Sequence, residues 1–476
     1  MTDDARIPVG LSLGVHRDAA LARAAEHVAH AWREFDTARD TETSPTPELL
    51  ALLRQPLPEG PADILATLDS AAEVLDASLA QARPRFFAFI GSSGLEIGAL
   101  ADLLAHTYDT NLAVDARAAT QLEWQTVGWL AAFLGFPAQA GTFTSGGTIS
   151  NMTALASARE AAVPGARHRG LAGVRPTMYC SREAHHSITR AAEMLGIGGA
   201  QVRGIDIDDG RRMRPDLLRA ALAEDLAEGC TPIAIVATAG TTLTGAVDPL
   251  YELADIAEEF GVWLHIDGAY GIPAAATAGA AHLFAGLERA DSVTIDCHKW
   301  MFVPKACSAV LVRDTRALTS TFSHDEAYMP HEGGQFNAVD ITLEYSRPFR
   351  ALKLWLAFAV HGAAAVRGAI ARNREQAELL YDLASARPAL EVLAHRPQLS
   401  IVPVRHRNRG CTDIDAHNAA LCSALQRDGR VYVSPAIIDG TTWLRPCFTN
   451  FRTADDDVRV LVAVIEELGA QCDTLH

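Results

Sequence analysis

Apolar and polar positions change their spacing along the chain, and the changes divide it into three parts. Residues 1 to 83 are rich in alanine, and their helical patterns are interrupted by "TETSPTPELL" and "RQPLPEGPAD". Serine and threonine commonly cap helices and proline interrupts them, so this part is predicted to form short helices.

Residues 84 to 350 alternate between short strand patterns and helical ones. The runs "TMYC", "PIAIVATAG", "VWLHIDGAY", "SVTID" and "SAVLVRD" are separated by helical patterns such as "SITRAAEMLG" and "PLYELADIAEEFG". This alternation is typical of an α/β fold, with a mostly parallel sheet and helices on both faces. Active sites of such sheets lie at the carboxyl ends of the strands.

Residues 351 to 476 mix the two patterns without the same alternation. A long helical pattern, "ALKLWLAFAVHGAAAVRG", is followed by the strand patterns "LSIVPVRH", "VYVSP" and "TTWLRPCF", with a helix predicted from 415 to 427. We expect a smaller α+β C-terminal domain.

Composition narrows the classes of partner. The 476 residues carry a formal net charge of −17, which argues against a nucleic-acid or anionic-membrane partner. The acidic start "MTDDARIPVG" does not resemble a signal peptide, and we expect no apolar run long enough to span a bilayer. Eight cysteines without a CxxC pair indicate reduced core residues, so a cytoplasmic protein that acts on small molecules is predicted.

One lysine stands out because lysine is rare here. Lys299, in "IDCHKWMFVP", is one of three lysines among 41 basic residues. A primary amine can form a Schiff base with an aldehyde, whereas a guanidinium cannot. Because Lys299 follows the predicted strand "SVTID", it belongs to the rim of the sheet; the alternative is a solvated surface lysine.

A glycine turn lies at the same predicted rim. In "TFTSGGTISN" a strand leads into Ser145, Gly146, Gly147 and Thr148 and then into a helix. Backbone N–H groups at a helix N-terminus can hold a phosphate, although such a turn is also a common plain connection.

A carboxylate and several histidines also follow predicted strands. Asp267 ends an apolar strand and would need a partner if buried, either a cationic ligand atom or the following turn. His185 and His186 follow "TMYC", where an imidazole could stack on a ligand ring or simply be a satisfied loop residue. A metal bound by these histidines with His265, Asp267 and His298 is the weaker alternative because no HExxH-like or CxxC spacing is present, and no metal is predicted. Together with the amine and the glycine turn, these groups predict a pyridoxal 5'-phosphate (PLP) site.

Several longer motifs then resemble one family, the group II pyridoxal-phosphate decarboxylases, which include aromatic-amino-acid, glutamate and diaminobutyrate decarboxylases. The motifs are "TSGGTISN", "AHHSITRAAEMLGIG", "TAGTTLTGAVDPL", "HIDGAYG", "ADSVTIDCHKWMFVPKACSAVLV" and "RPFRALKLW", within residues 83 to 458. The resemblance implies the type I PLP fold, which is aspartate aminotransferase-like, with a mostly parallel central sheet. It also implies a homodimer with the active site at the interface, a helical arm at residues 1–83, a large PLP-binding domain at 84–350 and a small domain at 351–476.

The same resemblance implies roles for individual residues. Lys299 would bind the cofactor covalently, Asp267 would pair with the pyridine nitrogen, and Ala269 would lie under the ring opposite a stacked His185. The implied further cofactor contacts are Thr242, Ser145, Gly146, Gly147, Thr148 and His298, and the implied side-chain pocket is formed by Phe89, Ile90 and residues around Leu112.

One loop departs from the family pattern. Many relatives carry a proton-donating tyrosine before the "RPFR" segment, where this chain has Phe336 and Asn337; Tyr328 lies earlier and Tyr345 later. Relatives with phenylalanine at that position use dioxygen and release an aldehyde, ammonia and hydrogen peroxide. The first interpretation is α-decarboxylation of an L-amino acid to an amine, and the sequence does not choose between aromatic, aliphatic and thioether side chains. The alternatives are aldehyde formation, β-elimination from a sulfur-substituted amino acid, or a non-catalytic regulatory homologue.

Overall fold

The computed structural model describes residues 11–37, 45–324, 337–407 and 411–472, so Phe336 and Tyr328 lie outside it. Its α-helices are α1 Arg17–Phe35, α2 Pro47–Leu52, α3 Ile64–Asp76, α4 Glu96–Tyr108, α5 Ala118–Leu134, α6 Gly147–Ala162, α7 Ala166–Arg169, α8 Ser187–Met194, α9 Pro215–Ala227, α10 Leu250–Phe260, α11 Arg316–Phe322, α12 Ala351–Ser385, α13 Ile414–Asp428 and α14 Asp455–Cys472. Short 3-10 helices span Gly14–His16, Gly199–Gln201, Ile272–Ala276, Ala281–Phe284, Leu287–Arg289 and Ala338–Ile341. The strands are β1 Ala140–Thr144, β2 Pro176–Ser181, β3 Val202–Ile205, β4 Thr231–Thr238, β5 Trp263–Asp267, β6 Ser292–Ile295, β7 Ser308–Val312, β8 Leu390–Val392, β9 Val404–His406, β10 Pro435–Ile438 and β11 Thr441–Leu444.

The larger sheet has seven strands in the order β1-β7-β6-β5-β4-β2-β3. Strand β7 pairs antiparallel with both of its neighbours, and the other pairs are parallel. Six strands therefore point the same way, which brings the carboxyl ends of β1, β2, β4, β5 and β6 to one edge. Asp267 ends β5 at this edge, and the loops after the other ends contain the glycine turn, His185, Thr242 and Lys299.

Helices cover both faces of this sheet, as the continuous apolar strands predict. In β4, Ile235 and Ala237 pack into one core cluster, while Ala234 and Val236 pack into another. Successive side chains of a strand point to opposite faces, so a strand buried on both faces needs apolar residues at every position.

The C-terminal part is organised around a four-stranded antiparallel sheet in the order β10-β11-β9-β8, packed with α13 and α14. The run "VYVSP" does not form the predicted strand of this sheet, which begins only at Pro435. Instead Tyr432 exchanges backbone hydrogen bonds with Arg85 and Phe87. The start of the predicted large domain thus packs against the small one, and the exact division into domains stays a prediction.

Helix α12 links the two sheets and changes direction at Gly362, whose φ of 77° is left-handed. By length and composition alone this helix could cross a membrane, contrary to the expectation that no run is long enough. Core helices of water-soluble proteins pass the same test, and α12 packs against α4, α5 and α14. Its composition therefore adds little evidence for a membrane role.

Candidate active site

The carboxyl edge of the large sheet holds a cleft with a volume of about 90 Å³. It brings together residues from loops that are far apart in the sequence. The lining residues are Ile90, Gly147, Thr148, Asn151, His185, Ser187, Thr238, Gly240, Thr242, Asp267, Ala269, Tyr270, Asp296 and Lys299.

The Lys299 amine lies inside this cleft beside an acidic partner. Its Nζ is 2.8 Å from Oδ2 of Asp296, whose side chain is almost fully buried, and the other oxygen of Asp296 has no hydrogen-bond partner among the described residues. His298 Nε2 lies 3.8 Å from the same Oδ2, and burial lowers the pKa of His298. Asp296 therefore holds the amine at the cleft when it is not bound to anything else.

Asp267 ends β5 and points a buried carboxylate into the cleft. Oδ2 accepts a hydrogen bond of 2.9 Å from Asn151 Nδ2, and Oδ1 accepts one of 3.2 Å from the backbone N–H of Ala269. Both bonds are accepted by the carboxylate, so Asp267 is fixed in an orientation that can pair with a cationic ligand atom.

His185 is held at the opposite wall through its Nδ1. That nitrogen lies 2.9 Å from Ser187 Oγ and also accepts a bond of 3.2 Å from the Ser187 backbone N–H. Burial is the largest influence on the pKa of His185 and lowers it, against an opposing effect of Asp267. A neutral imidazole with its proton on Nε2 follows from these contacts.

The glycine turn forms the N-terminal end of α6. The backbone N–H groups of Gly147 and Thr148 have no intrahelical partner, and none is recorded elsewhere in the described chain. A Cβ built on Gly147 would lie 2.9 Å from Asp296 Oδ2 and 3.1 Å from the Ala269 Cβ, so only glycine fits. The helix end can therefore approach an anionic group closely.

The other residues predicted for the site fall into two groups, those that line the cleft and those that do not. Thr242 and Ile90 line the cleft, whereas Ser145, Gly146 and His298 are not among its lining residues. Phe89 is 48% exposed, and Leu112 is 1% exposed in the core of this chain. Phe336 lies outside the described residues. The roles of all these residues remain predictions.

The structure adds site residues that the sequence reasoning did not single out. Asn151 and Asp296 contact Asp267 and Lys299 directly, and Ser187 contacts His185. The spacing of the sequence could have indicated both residues. Asn151 is one helical turn after Gly147, and Asp296 is three residues before Lys299.

The alternative in the sequence analysis was a metal bound by His185, His186, His265, Asp267 and His298. Over the described ranges, the donor atoms grouped closely enough to hold an ion belong instead to Asp225, Glu228 and Cys230. The Asp225 carboxylate already accepts hydrogen bonds from Tyr179 and Arg203, so this group is accounted for without a metal.

Comparison with known proteins agrees with this chemistry. Residues 47–407 match the family described as pyridoxal-dependent decarboxylase conserved domain. The chain belongs to this family. The predicted resemblance is confirmed, and the cofactor is pyridoxal 5'-phosphate.

Curated relatives in the family act on different amino acids. The chain is 34% identical to "Aromatic-L-amino-acid decarboxylase" of Bacillus atrophaeus over 82% of each protein. It is also 34% identical to "L-2,4-diaminobutyrate decarboxylase" of Rhizobium meliloti (strain 1021), over 75% of this chain and 72% of the relative.

Solved structures confirm the type I PLP fold. Oryza sativa TDC, determined with PLP and tryptamine, superposes with a TM-score of 0.90 at 25% identity and covers 98% of this chain and 99% of that one. Mouse CSAD gives 0.87 at 26% identity, over 96% and 99%.

The residues present fit the cofactor. The glycine turn suits its phosphate, Asp267 suits its pyridine nitrogen, and the Lys299 amine suits its aldehyde. The absence of a Cβ at Gly147 leaves the N-terminal end of α6 open beside Ala269, where a side chain would otherwise lie.

Proposed function

We propose that this decarboxylase-family protein removes the α-carboxylate of an L-amino acid and releases an amine. The observation that carries the proposal is that Lys299, Asp267 and His185 line a single cleft with the free end of α6. Each group comes from a different loop of the sheet, and the set matches what PLP chemistry requires.

Each residue has a definable task in this reaction. When bound, PLP supplies an electron sink for the electron pair that remains at Cα as carbon dioxide leaves. Asp267 would hold a proton on the pyridine nitrogen, because its carboxylate is fixed at the cleft by hydrogen bonds from Asn151 and Ala269. Asp296 receives the Lys299 amine once the substrate amine has taken its place. His185 presents a neutral ring to the cofactor.

The cleft favours substrates whose side chain carries no charge. Its charged lining residues within the described chain are Asp267, Asp296 and Lys299, and all three have tasks toward the cofactor. Ile90 supplies an apolar wall. Among the described residues that line the cleft, no further cation or carboxylate remains to pair with a charged side chain, which supports aromatic, aliphatic and thioether amino acids.

We also propose a cytoplasmic homodimer with the active site near the interface. Leu100, Leu103, Leu104 and Tyr108 of α4 are between 42% and 80% exposed, and apolar residues of the arm before α2 are exposed as well. Contiguous exposed apolar surface of this kind is typical of protein interfaces. The seven cysteines whose side chains the structure describes are free, which suits a reducing compartment.

Aldehyde formation is the second candidate because of Phe336. If the loop lacks a proton donor, proton delivery to the substrate Cα would be slow, and dioxygen and water would instead be consumed there. The products would then be an aldehyde, carbon dioxide, ammonia and hydrogen peroxide.

A product assay separates these outcomes. The purified protein with PLP is incubated under air with a panel of L-amino acids while carbon dioxide, amine, ammonia and hydrogen peroxide are followed together. Carbon dioxide with amine supports the proposal, and carbon dioxide with peroxide and ammonia supports the second candidate. Ammonia without carbon dioxide from a sulfur-substituted amino acid would indicate β-elimination. No turnover despite bound cofactor would overturn both candidates and favour a regulatory role.

Phe336→Tyr then tests the loop. If Phe336 occupies the position of the missing donor, the variant shifts the products from aldehyde toward amine. An unchanged product ratio counts against this position.

A further inference from the structure

A continuous network of hydrogen bonds joins Asp267 and His185, the two residues proposed to contact the cofactor ring. We infer that Asn151 and His265 are positioning residues that fix Asp267 against the pyridine nitrogen and His185 against the ring. The inference rests on the proposed role of Asp267 and goes beyond it, because neither Asn151 nor His265 touches the reacting atoms in this assignment.

Asn151 is the branch point of this chain. Its Nδ2 donates to Asp267 Oδ2 at 2.9 Å and to Ser187 Oγ at 3.0 Å, while its Oδ1 lies 3.0 Å from His265 Nε2. Ser187 Oγ in turn lies 2.9 Å from His185 Nδ1. One side-chain amide therefore reaches both ring-contacting residues, and Asn151 is only 1% exposed.

The chemistry of the end groups fixes the direction of every bond. An ionised Asp267 can only accept, so the Asn151 amide must turn Nδ2 toward it and Oδ1 toward His265. His265 must then donate from Nε2. Burial lowers the pKa of His265 to about 4, so the ring is neutral and its Nδ1 can only accept.

The far end of this hydrogen-bonded network is compatible with the same direction. His265 Nδ1 lies 2.8 Å from Ser292 Oγ, which accepts a bond of 2.9 Å from Trp263 Nε1. An indole nitrogen can only donate, so the Ser292 hydroxyl is free to donate to His265. With Nδ2 of Asn151 toward Asp267 and Oδ1 toward His265, every bond of the network can be made.

The inference predicts what happens when His265 is replaced. A leucine leaves Asn151 Oδ1 without a donor, so the amide is no longer held with Nδ2 toward Asp267. A glutamine retains a side-chain N–H that can donate to the same oxygen. His265→Gln should therefore keep the Asn151 amide oriented toward Asp267, and His265→Leu should lose this orientation.

The test compares two cofactors by their dissociation constants. One is PLP, and the other is the analogue in which the ring nitrogen is replaced by a C–H group, which cannot bond to Asp267. The ratio of the two dissociation constants measures only the contact between Asp267 and the ring nitrogen. General damage to the fold would weaken the binding of both cofactors equally and leave the ratio unchanged.

We expect Asn151→Leu and His265→Leu to reduce the preference for PLP at least about tenfold, the size of one hydrogen bond to a charged group. His265→Gln should retain most of the preference. The matched control is Asn418→Leu in the small domain, because Asn418 is also a buried asparagine with three hydrogen bonds. It should lower stability without changing the ratio.

Wild-type preference in both leucine variants would overturn the inference, as would an equal loss in His265→Gln and His265→Leu. Should Asn151→Leu fail to fold, the His265 pair decides the question. Asp267→Ala separates this inference from the proposed function: if that variant keeps the preference for PLP, the assignment of Asp267 itself is wrong. If it loses the preference while the Asn151 and His265 variants keep it, only the inference fails.

Discussion

Lys299 is held in the cleft by an ion pair. Its ammonium pairs with Asp296 at 2.8 Å, a contact that an arginine could also make. What an arginine cannot do is condense with an aldehyde, since a guanidinium does not deprotonate. The difference between the two cations can therefore be used as an experiment.

Lys299→Arg should retain the positive charge beside Asp296 but lose covalent cofactor binding and turnover. The visible absorbance band of the PLP-loaded protein and the product assay measure these two effects. Lys305→Arg is the control, because Lys305 does not line the cleft, and it should keep both properties. A yellow, active Lys299→Arg variant would contradict the assignment.

His265 links stability to acid. Burial lowers the pKa of His265 from the ordinary 6.5 to about 4 in the folded state. Between pH 4 and pH 6.5 the unfolded chain therefore binds a proton at this histidine, whereas the folded chain does not. Its contribution to stability is thus present above pH 6.5 and is lost as the pH falls toward 4. Asp248 acts in the opposite direction, since burial raises its pKa to about 6.

His265→Gln should therefore unfold less readily on acidification than the wild type. When the pH is lowered from 7 to 5, we expect the wild type to lose about 2 kcal/mol more unfolding free energy than the variant. Urea midpoints at the two pH values, at equal PLP concentration, measure it. His282→Gln, at an exposed histidine, should show no such movement, and parallel behaviour of His265→Gln and the wild type would refute the prediction.

At the scale of elements, the connection from β1 to α6 provides the close approach on which the cleft depends. The strand brings the chain to the edge of the sheet, and the helix begins at Gly147 directly beside Asp296 and Ala269. The pattern of the sequence predicted both elements and the turn. It could not predict that a Cβ at Gly147 would collide with residues about 120 to 150 positions further along the chain, because that contact exists only once the strands are ordered.

Gly147→Ala should weaken PLP binding about tenfold or more, because the added methyl group displaces Asp296 or the anionic end of the cofactor. The control is Gly128→Ala in the middle of α5, where a Cβ meets nothing within 4 Å. That variant should stabilise the fold by about 0.5–1 kcal/mol and leave PLP affinity unchanged. Equal PLP affinity in the two variants, measured by titration of the absorbance band, would argue against the turn as the phosphate site.

At the scale of the whole molecule, one chain leaves much apolar surface of α4 in solvent. Leu103 is 52% exposed and Leu104 is 49% exposed, on a helix whose other side packs against α12. A second copy of the chain would bury this surface, which supports the proposed dimer.

Sedimentation should show a species of twice the 50.9 kDa chain mass, and Leu103→Glu should shift it toward the monomer. Leu226→Glu changes a leucine of similar exposure on α9 and should leave the dimer intact. A loss of PLP affinity and activity together with the dimer in Leu103→Glu would further support an active site near the interface. A wild-type protein that sediments as a monomer would refute the homodimer.

The sequence by itself determined the alternation of strands and helices and the placement of Lys299, Asp267, His185 and the glycine turn after strands. These are local properties, since a polar residue that follows an apolar run needs no distant contact to be recognised. Only the tertiary structure decided which strands are neighbours, including β7 between β1 and β6, and the pairing of Tyr432 with the segment at Phe87. It also decided the contact between Asn151 and His265, which are 114 residues apart. Periodicity records which face of an element is buried but not what lies against it, and the partners of the buried polar groups are set by packing.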